Sequence, residues 1–169
     1  MKKRKSKYSI IDNFLSDSEF VKIKDELMGK FFPWYCLETI AAADSDDGMY
    51  FTHKFYDASK ITSKYFELLV PMFKRLETHY IIKALIRGKA NCYLKTTETV
   101  RHDMHRDLTF KHNGLIYSIN NCNGATILED GTQIPSKANR MLLFDSSRPH
   151  CSTSCTDEYR RVNLNFNYF

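Results

Sequence analysis

The chain has 169 residues, of which 43% are hydrophobic and 14% aromatic, including 12 Phe and 10 Tyr. That content excludes a disordered chain and suits one domain, residues 1–169, rich in sheet and large enough to bury a core without staples. The formal net charge is +5, yet five of the basic residues lie in the first seven, MKKRKSK, which reads as a solvated terminus before it reads as a nucleic-acid-binding arm.

The same N-terminus lacks an apolar stretch long enough for a signal peptide or a membrane span, so the expectation is a cytoplasmic protein with no membrane partner. The cysteines, Cys36, Cys92, Cys122, Cys151 and Cys155, are odd in number and lack the CxxC spacing of a zinc ribbon. Reduced thiols are expected in such a compartment.

In chain order, Ser16 to Met28 predicts a helix: Ser16 and Glu19 form a capping box, Phe20, Ile23 and Leu27 make one apolar stripe, and Gly29 ends it. The segment FFPWYCLETIAAADSDDGMYFTHKFYD, aromatic at its ends and acidic and small in the middle, reads as strand, loop, strand. Ser59 to Tyr80 fits a second helix with Ile61, Tyr65, Leu68, Leu69, Met72, Phe73 and Leu76 on one side and Pro71 as a kink. Residues 1–83 are thus expected to hold supporting helices and strands.

From about residue 84 to 169 the pattern changes to short β-like runs. They cover Ala84 to Leu94, Thr99 to Leu108, Gly114 to Ile119, Ala125 to Glu129, Thr132 to Ile134, Asn139 to Asp145, Cys151 to Cys155 and Arg161 to Tyr168. Turns are signalled at Asn123-Gly124 and Asp130-Gly131. Successive strands with no helix between them predict a mainly β (α+β) architecture: an antiparallel double-stranded β-helix, or jelly roll, buttressed by N-terminal helices.

The last strand alternates strictly. Val162, Leu164, Phe166 and Tyr168 share one face; Arg161, Asn163, Asn165 and Asn167 share the other. The apolar face wants the helices, so the polar face should line a cavity with Arg161 pointing in and Arg160 pointing away. In an extended segment His105 and Asp107 also project the same way, and His150 is the natural third ligand for one metal ion. Two imidazoles and one carboxylate with neighbouring positions left open are the ligand set of non-haem Fe(II) oxygenases.

The segments ANCYLKTTETVRHDMHRD, GLIYSIN, FDSSRPH and RRVNLNF resemble the Fe(II)- and 2-oxoglutarate-dependent dioxygenases, particularly the prolyl-4-hydroxylase-like branch, over roughly residues 84 to 169. The phrases EDGT, ANRMLLFDSS and RRVNLNFNYF are most similar to small phage-encoded members, which would put the protein in a host cytoplasm. The resemblance implies Fe(II) held by His105, Asp107 and His150, and 2-oxoglutarate gripped by Arg161 through its distal carboxylate, with dioxygen as the oxidant. It further implies a tyrosine on that carboxylate, Tyr93 or else Tyr117. Where relatives often have Arg-x-Ser this chain has Arg161-Val162-Asn163, and Asn163 can still donate a hydrogen bond. Ser118 stands where relatives can have tyrosine.

The implied reaction is hydroxylation of an unactivated C–H bond, with succinate and carbon dioxide as co-products. The leading substrate is a peptide or an amino-acid side chain such as proline, or another small molecule. Oxidative demethylation of alkylated nucleobases is the alternative, weakened because those enzymes usually carry an arginine where Asn167 stands. A non-catalytic metal-binding jelly roll is the third reading, and Arg161 argues against it. Asp103, Arg106 and Arg148 are candidates for substrate contact, although water is the plainer partner for exposed arginines. His53, His79, His102 and His112 read as packing or surface histidines, and Trp34 and Tyr35 as core aromatics before a cleft wall. His105-Arg106-Asp107-Leu108 also spells the start of a kinase catalytic loop, but Asn113 is one position too far on and no glycine-rich phosphate loop is present.

Overall fold

A computed structural model of the chain describes residues 8–38 and 48–169. The basic tail and the acidic middle of the first predicted loop lie outside the described residues. The elements in order are β1 (Tyr8–Ile11), α1 (Asp17–Met28), β2 (Tyr35–Leu37), β3 (Tyr50–Asp57), β4 (Lys60–Ile61), a 3-10 helix (Lys64–Leu69) and α2 (Val70–Glu77). There follow β5 (Leu85–Leu94), β6 (Asn113–Ser118), β7 (Ala125–Leu128), β8 (Gln133–Pro135), β9 (Arg140–Phe144), β10 (His150–Ser152) and β11 (Arg160–Tyr168).

Two antiparallel sheets build the expected jelly roll. The large sheet has eight strands in the order β1-β9-β6-β11-β5-β3-β2 with β4 on β3, and the small one has the order β10-β7-β8. The N-terminal portion is not merely a buttress, since β3 pairs with β5 and β1 with β9 inside the large sheet.

Strand parity decides the layers. Val162, Leu164, Phe166 and Tyr168 of β11 turn outward with Ala90 and Cys92 of β5, Leu115 and Tyr117 of β6, and Met141 and Leu143 of β9. They pack against Phe20, Ile23 and Leu27 of α1 and Met72 and Leu76 of α2 in one core. Ile116, Leu142 and Phe144 turn the other way and meet Leu128 and Ile134 of the small sheet in a second apolar cluster. The rest of the space between the sheets is polar.

α1 forms as predicted, with the capping box of Ser16 and Glu19 present. Gly29 ends it for another reason than a left-handed turn: its φ is −66°, and a Cβ there would lie 2.9 Å from the Asp25 carbonyl oxygen. The second predicted helix is corrected. Ser59 has φ 61° and leads into the short β4, and the chain then makes a 3-10 helix before α2, where Pro71 occupies the first turn instead of kinking the middle. Thr99 to Leu108 is corrected too: in place of a continuous strand it has isolated β-bridges at Arg101 and His105. No helix among the described residues is long and apolar enough to cross a membrane.

Candidate active site

The irregular segment before β6 is fastened to β10 by backbone bonds. His105 and His150 exchange both N–H···O contacts at 2.9 Å, which makes them a directly paired antiparallel couple with side chains on one face. Their ring centroids are 4.8 Å apart. Asp107 joins them, and one ligand atom from each of His105, Asp107 and His150 lies within 4.8 Å of the others.

The donor set is prepared for a cation. Nδ1 of His105 meets the Asp103 carbonyl oxygen at 3.2 Å and Nδ1 of His150 meets that of Arg148 at 3.0 Å, so each Nδ1 carries the proton and each Nε2 keeps its lone pair. Nε2 of His150 is 3.7 Å from the Asp107 carboxylate. Burial holds the His150 imidazole below its ordinary range despite the pull of Asp107, which favours the neutral, ligating form. Burial pushes the Asp107 carboxyl upward, but its neighbours, His150 when protonated, Arg87 and the Asn167 hydrogen bond, outweigh that and hold it low. Its Oδ1 accepts from Arg87 at 3.1 Å and its Oδ2 from the Asn167 amide at 2.8 Å.

Arg87 and Asn167 were not singled out from the sequence as carboxylate supports. The signal was there in β5, where Arg87, Lys89, Asn91 and Tyr93 alternate with Gly88, Ala90 and Cys92 as strictly as the residues of β11 do. In register, Tyr93 faces Arg161, Asn91 faces Asn163, Lys89 faces Asn165 and Arg87 faces Asn167, giving one continuous polar wall.

At the far end of that wall lies Arg161, only 1% exposed. Its guanidinium donates to the Thr153 carbonyl at 3.2 Å and to the Thr126 hydroxyl at 3.0 Å, while its Nε has no partner among the described residues. No described carboxylate pairs with it. A buried cation compensated by neutral oxygens alone is costly, and an anionic ligand is what would offset it. Gly124 makes room for the side chain, since a Cβ there would sit 2.7 Å from the arginine Cδ. Arg160, by contrast, faces α1 and donates to the Met28 carbonyl.

Tyr93 lies under the guanidinium, 5.5 Å from ring centroid to the central carbon, between the stacked rings of Tyr50 and His102. Asn163 belongs to the same wall and accepts from the Asn91 amide at 3.1 Å. Tyr117 does not: opposite Leu164 it faces the helix core, meets Phe14 and Phe20 edge-on, and donates its hydroxyl to Asn139 at 2.7 Å. That expectation is corrected, because both faces of β6 are apolar enough to hide its parity. Asp103 and Arg106 are exposed on the segment carrying His105, and Arg148 pairs with Glu129 on the surface. Cys122, Cys155 and Asp157 also cluster, but burial pushes the Cys155 thiol up to about 11, and both Asp157 oxygens accept from the Asn123 backbone. A protonated thiol is a poor ligand.

No protein-family model matches the chain, and no curated protein matches it by sequence. Solved structures do match in fold. A prolyl hydroxylase from Trichoplax adhaerens, in complex with a peptide of the hypoxia inducible factor oxygen degradation domain, has a TM-score of 0.69 at 15% identity, covering 98% of this chain and 84% of that one. The 2OG complex of the viral collagen prolyl hydroxylase of Paramecium Bursaria Chlorella virus-1 has a TM-score of 0.59 at 16% identity, covering 96% of both chains. An oxidoreductase of the 2OG-Fe(II) oxygenase family from Burkholderia pseudomallei has a TM-score of 0.71 at 11% identity, covering 98% and 86%. The chain therefore has the fold of the 2-oxoglutarate- and Fe(II)-dependent oxygenases.

Proposed function

We propose that the protein is an Fe(II)- and 2-oxoglutarate-dependent hydroxylase acting on a peptide or amino-acid side chain, with succinate and carbon dioxide as co-products. The observation that carries this reading is that an ion-ready His105–Asp107–His150 triad, fastened through Asp107 to Arg87 and Asn167, shares their polar wall with a buried arginine that lacks a counter-ion among the described residues. A metal site alone would fit many proteins, and a buried arginine alone would fit a structural role.

The residues fit the groups the reading requires. His105, Asp107 and His150 would hold Fe(II), which supplies activation of dioxygen when bound. Arg161 would hold the distal carboxylate of 2-oxoglutarate, with Tyr93 beside it and Asn163 further along the same wall. Arg87 and Asn167 keep Asp107 ionised and fixed, and the backbone carbonyls of Asp103 and Arg148 fix the imidazoles. Asn167 is occupied with Asp107, which leaves the nucleobase demethylase reading without its usual second arginine.

The test is to load the purified protein with Fe(II) and 2-oxoglutarate in air and follow succinate. Slow substrate-free turnover is expected, together with loss of tight Mn(II) or Fe(II) binding in His105→Ala and Asp107→Ala. Metal affinity unchanged in both variants contradicts the ligand set.

A further inference from the structure

Lys89 lies on the polar wall between the two ends of the proposed site, next to Asn91 on the side toward Tyr93 and next to Arg87 on the other. Same-face neighbours on a strand are separated by roughly 7 Å, and the neighbouring Arg87 holds the Asp107 carboxylate, whose charge acts on the Lys89 ammonium. The side chain is part-buried, donates to the Tyr50 hydroxyl at 3.0 Å and lies 5.3 Å from that ring's centroid. No described carboxylate forms an ion pair with it. Burial, with the neighbouring Arg87 charge adding to it, pulls its ammonium below the usual lysine range. Opposite it, the side-chain oxygen of Asn165 is buried without a described partner.

The charges of the whole site show what is missing. Arg87 is matched by Asp107. Dianionic 2-oxoglutarate would place one carboxylate at the metal and the other on Arg161. Lys89 has no carboxylate of its own among the described residues even after metal and cosubstrate are in place, on the wall whose Arg87 and Asn167 hold Asp107.

Resting on the function proposed above, we infer that Lys89 is a specificity-determining residue that binds a carboxylate of the substrate to be oxidised. Because Lys89 is so near the triad, that carboxylate must lie within a few bonds of the carbon that loses hydrogen. A free acid of amino-acid size meets this condition; an interior prolyl residue, whose carboxyl is tied up as an amide, does not. The unpartnered Asn165 oxygen is placed to accept from an ammonium or hydroxyl on the same molecule.

The experiment measures 2-oxoglutarate-dependent succinate formation with each proteinogenic L-amino acid, with the corresponding carboxamides, and with N-acetyl-prolyl-glycinamide as a capped peptide. It uses the full chain, Lys89→Met and Lys89→Arg, each checked for an unchanged melting temperature, with 2-oxoglutarate affinity of the Mn(II) form measured in parallel. The expected result is stimulation by at least one free acid and not by its carboxamide. Lys89→Met should lower kcat/KM for that acid by about tenfold or more, as loss of a charged hydrogen bond implies, with partial retention in Lys89→Arg. Its affinity for 2-oxoglutarate should stay close to that of the parent chain.

Three results overturn the inference: stimulation by the capped peptide or the carboxamides equal to that by the acids, no stimulation by any acid, or weakened 2-oxoglutarate binding in Lys89→Met. The last would mean that Lys89 holds the cosubstrate. If the parent chain binds neither Mn(II) nor 2-oxoglutarate and makes no succinate, the broader function fails, which is a different outcome from any of these.

Discussion

The two faces of β11 differ in whether the protein completes its own interactions. On the outward face, Val162, Leu164, Phe166 and Tyr168 are buried against both helices and against other strands, and the packing leaves nothing to be supplied from outside. On the inward face, Arg161, Asn163, Asn165 and Asn167 are equally buried, yet an arginine nitrogen and an asparagine oxygen lack partners among the described residues. Buried polar groups are ordinarily satisfied, so orphans gathered on one face mark where a ligand belongs. One strand thus serves stability through its even positions and, on the function proposed, chemistry through its odd ones.

Substitutions on the two faces should separate these roles. The largest effect on stability belongs to the outward face: Phe166→Ala removes a ring packed against Phe55 and Phe73 and should cost about 3–5 kcal/mol. Denaturant unfolding measures that loss, and the fraction still folded should bind metal normally. On the inward face Asn167→Ala removes a donor to Asp107 while leaving the ligands themselves. Metal affinity, read by calorimetry, should fall by about 10–100-fold, with a far smaller change in stability than at Phe166. Equal destabilisation by both substitutions would erase the distinction between the faces.

A smaller effect concerns pH. Burial lowers the His150 imidazole, and that of His53 in the aromatic core, below the ordinary value of 6.5. Well above pH 6.5 both are neutral in the folded and unfolded chains and pH has no leverage through them. As pH falls below 6.5 the unfolded chain takes up protons that the folded chain resists, so stability declines toward the depressed folded values, by at most about 1.4 kcal/mol per pH unit per group. Metal affinity should weaken over the same range, because the metal needs the neutral ring. A metal-free protein whose unfolding free energy is flat from about pH 7 to about pH 5 would contradict this.

What the sequence made legible follows the strength of its periodicities. α1 could be read because cap and stripe agree, and β11 because every position alternates. β5 carries the same alternation, and applying the parity rule there would have brought out Arg87 and Lys89. β1, four residues at the sheet edge, is too short for a pattern to show. The stretch from Ser59 to Tyr80 has the apolar content of a helix, but positive φ at Ala58 and Ser59 and the 3-10 turn before Pro71 divide it into pieces. His105 and Asp107 were grouped on the premise of a strand; the structure brings them together on an irregular segment fastened by its bonds to His150. Asn167, which parity places on the cavity-lining face, takes its role from its contact with Asp107, which no local pattern encodes.

The central claim is that the inward face of β11 binds 2-oxoglutarate through Arg161. Calorimetric titration of the Mn(II) form with 2-oxoglutarate, comparing Arg161→Ala with Arg160→Ala, tests it most directly, since the two arginines adjoin in sequence and face opposite ways. Arg161→Ala should cost about 2–5 kcal/mol, or roughly 30-fold and more in affinity, with little change for Arg160→Ala. Equal losses, or a larger one at Arg160, would contradict the account.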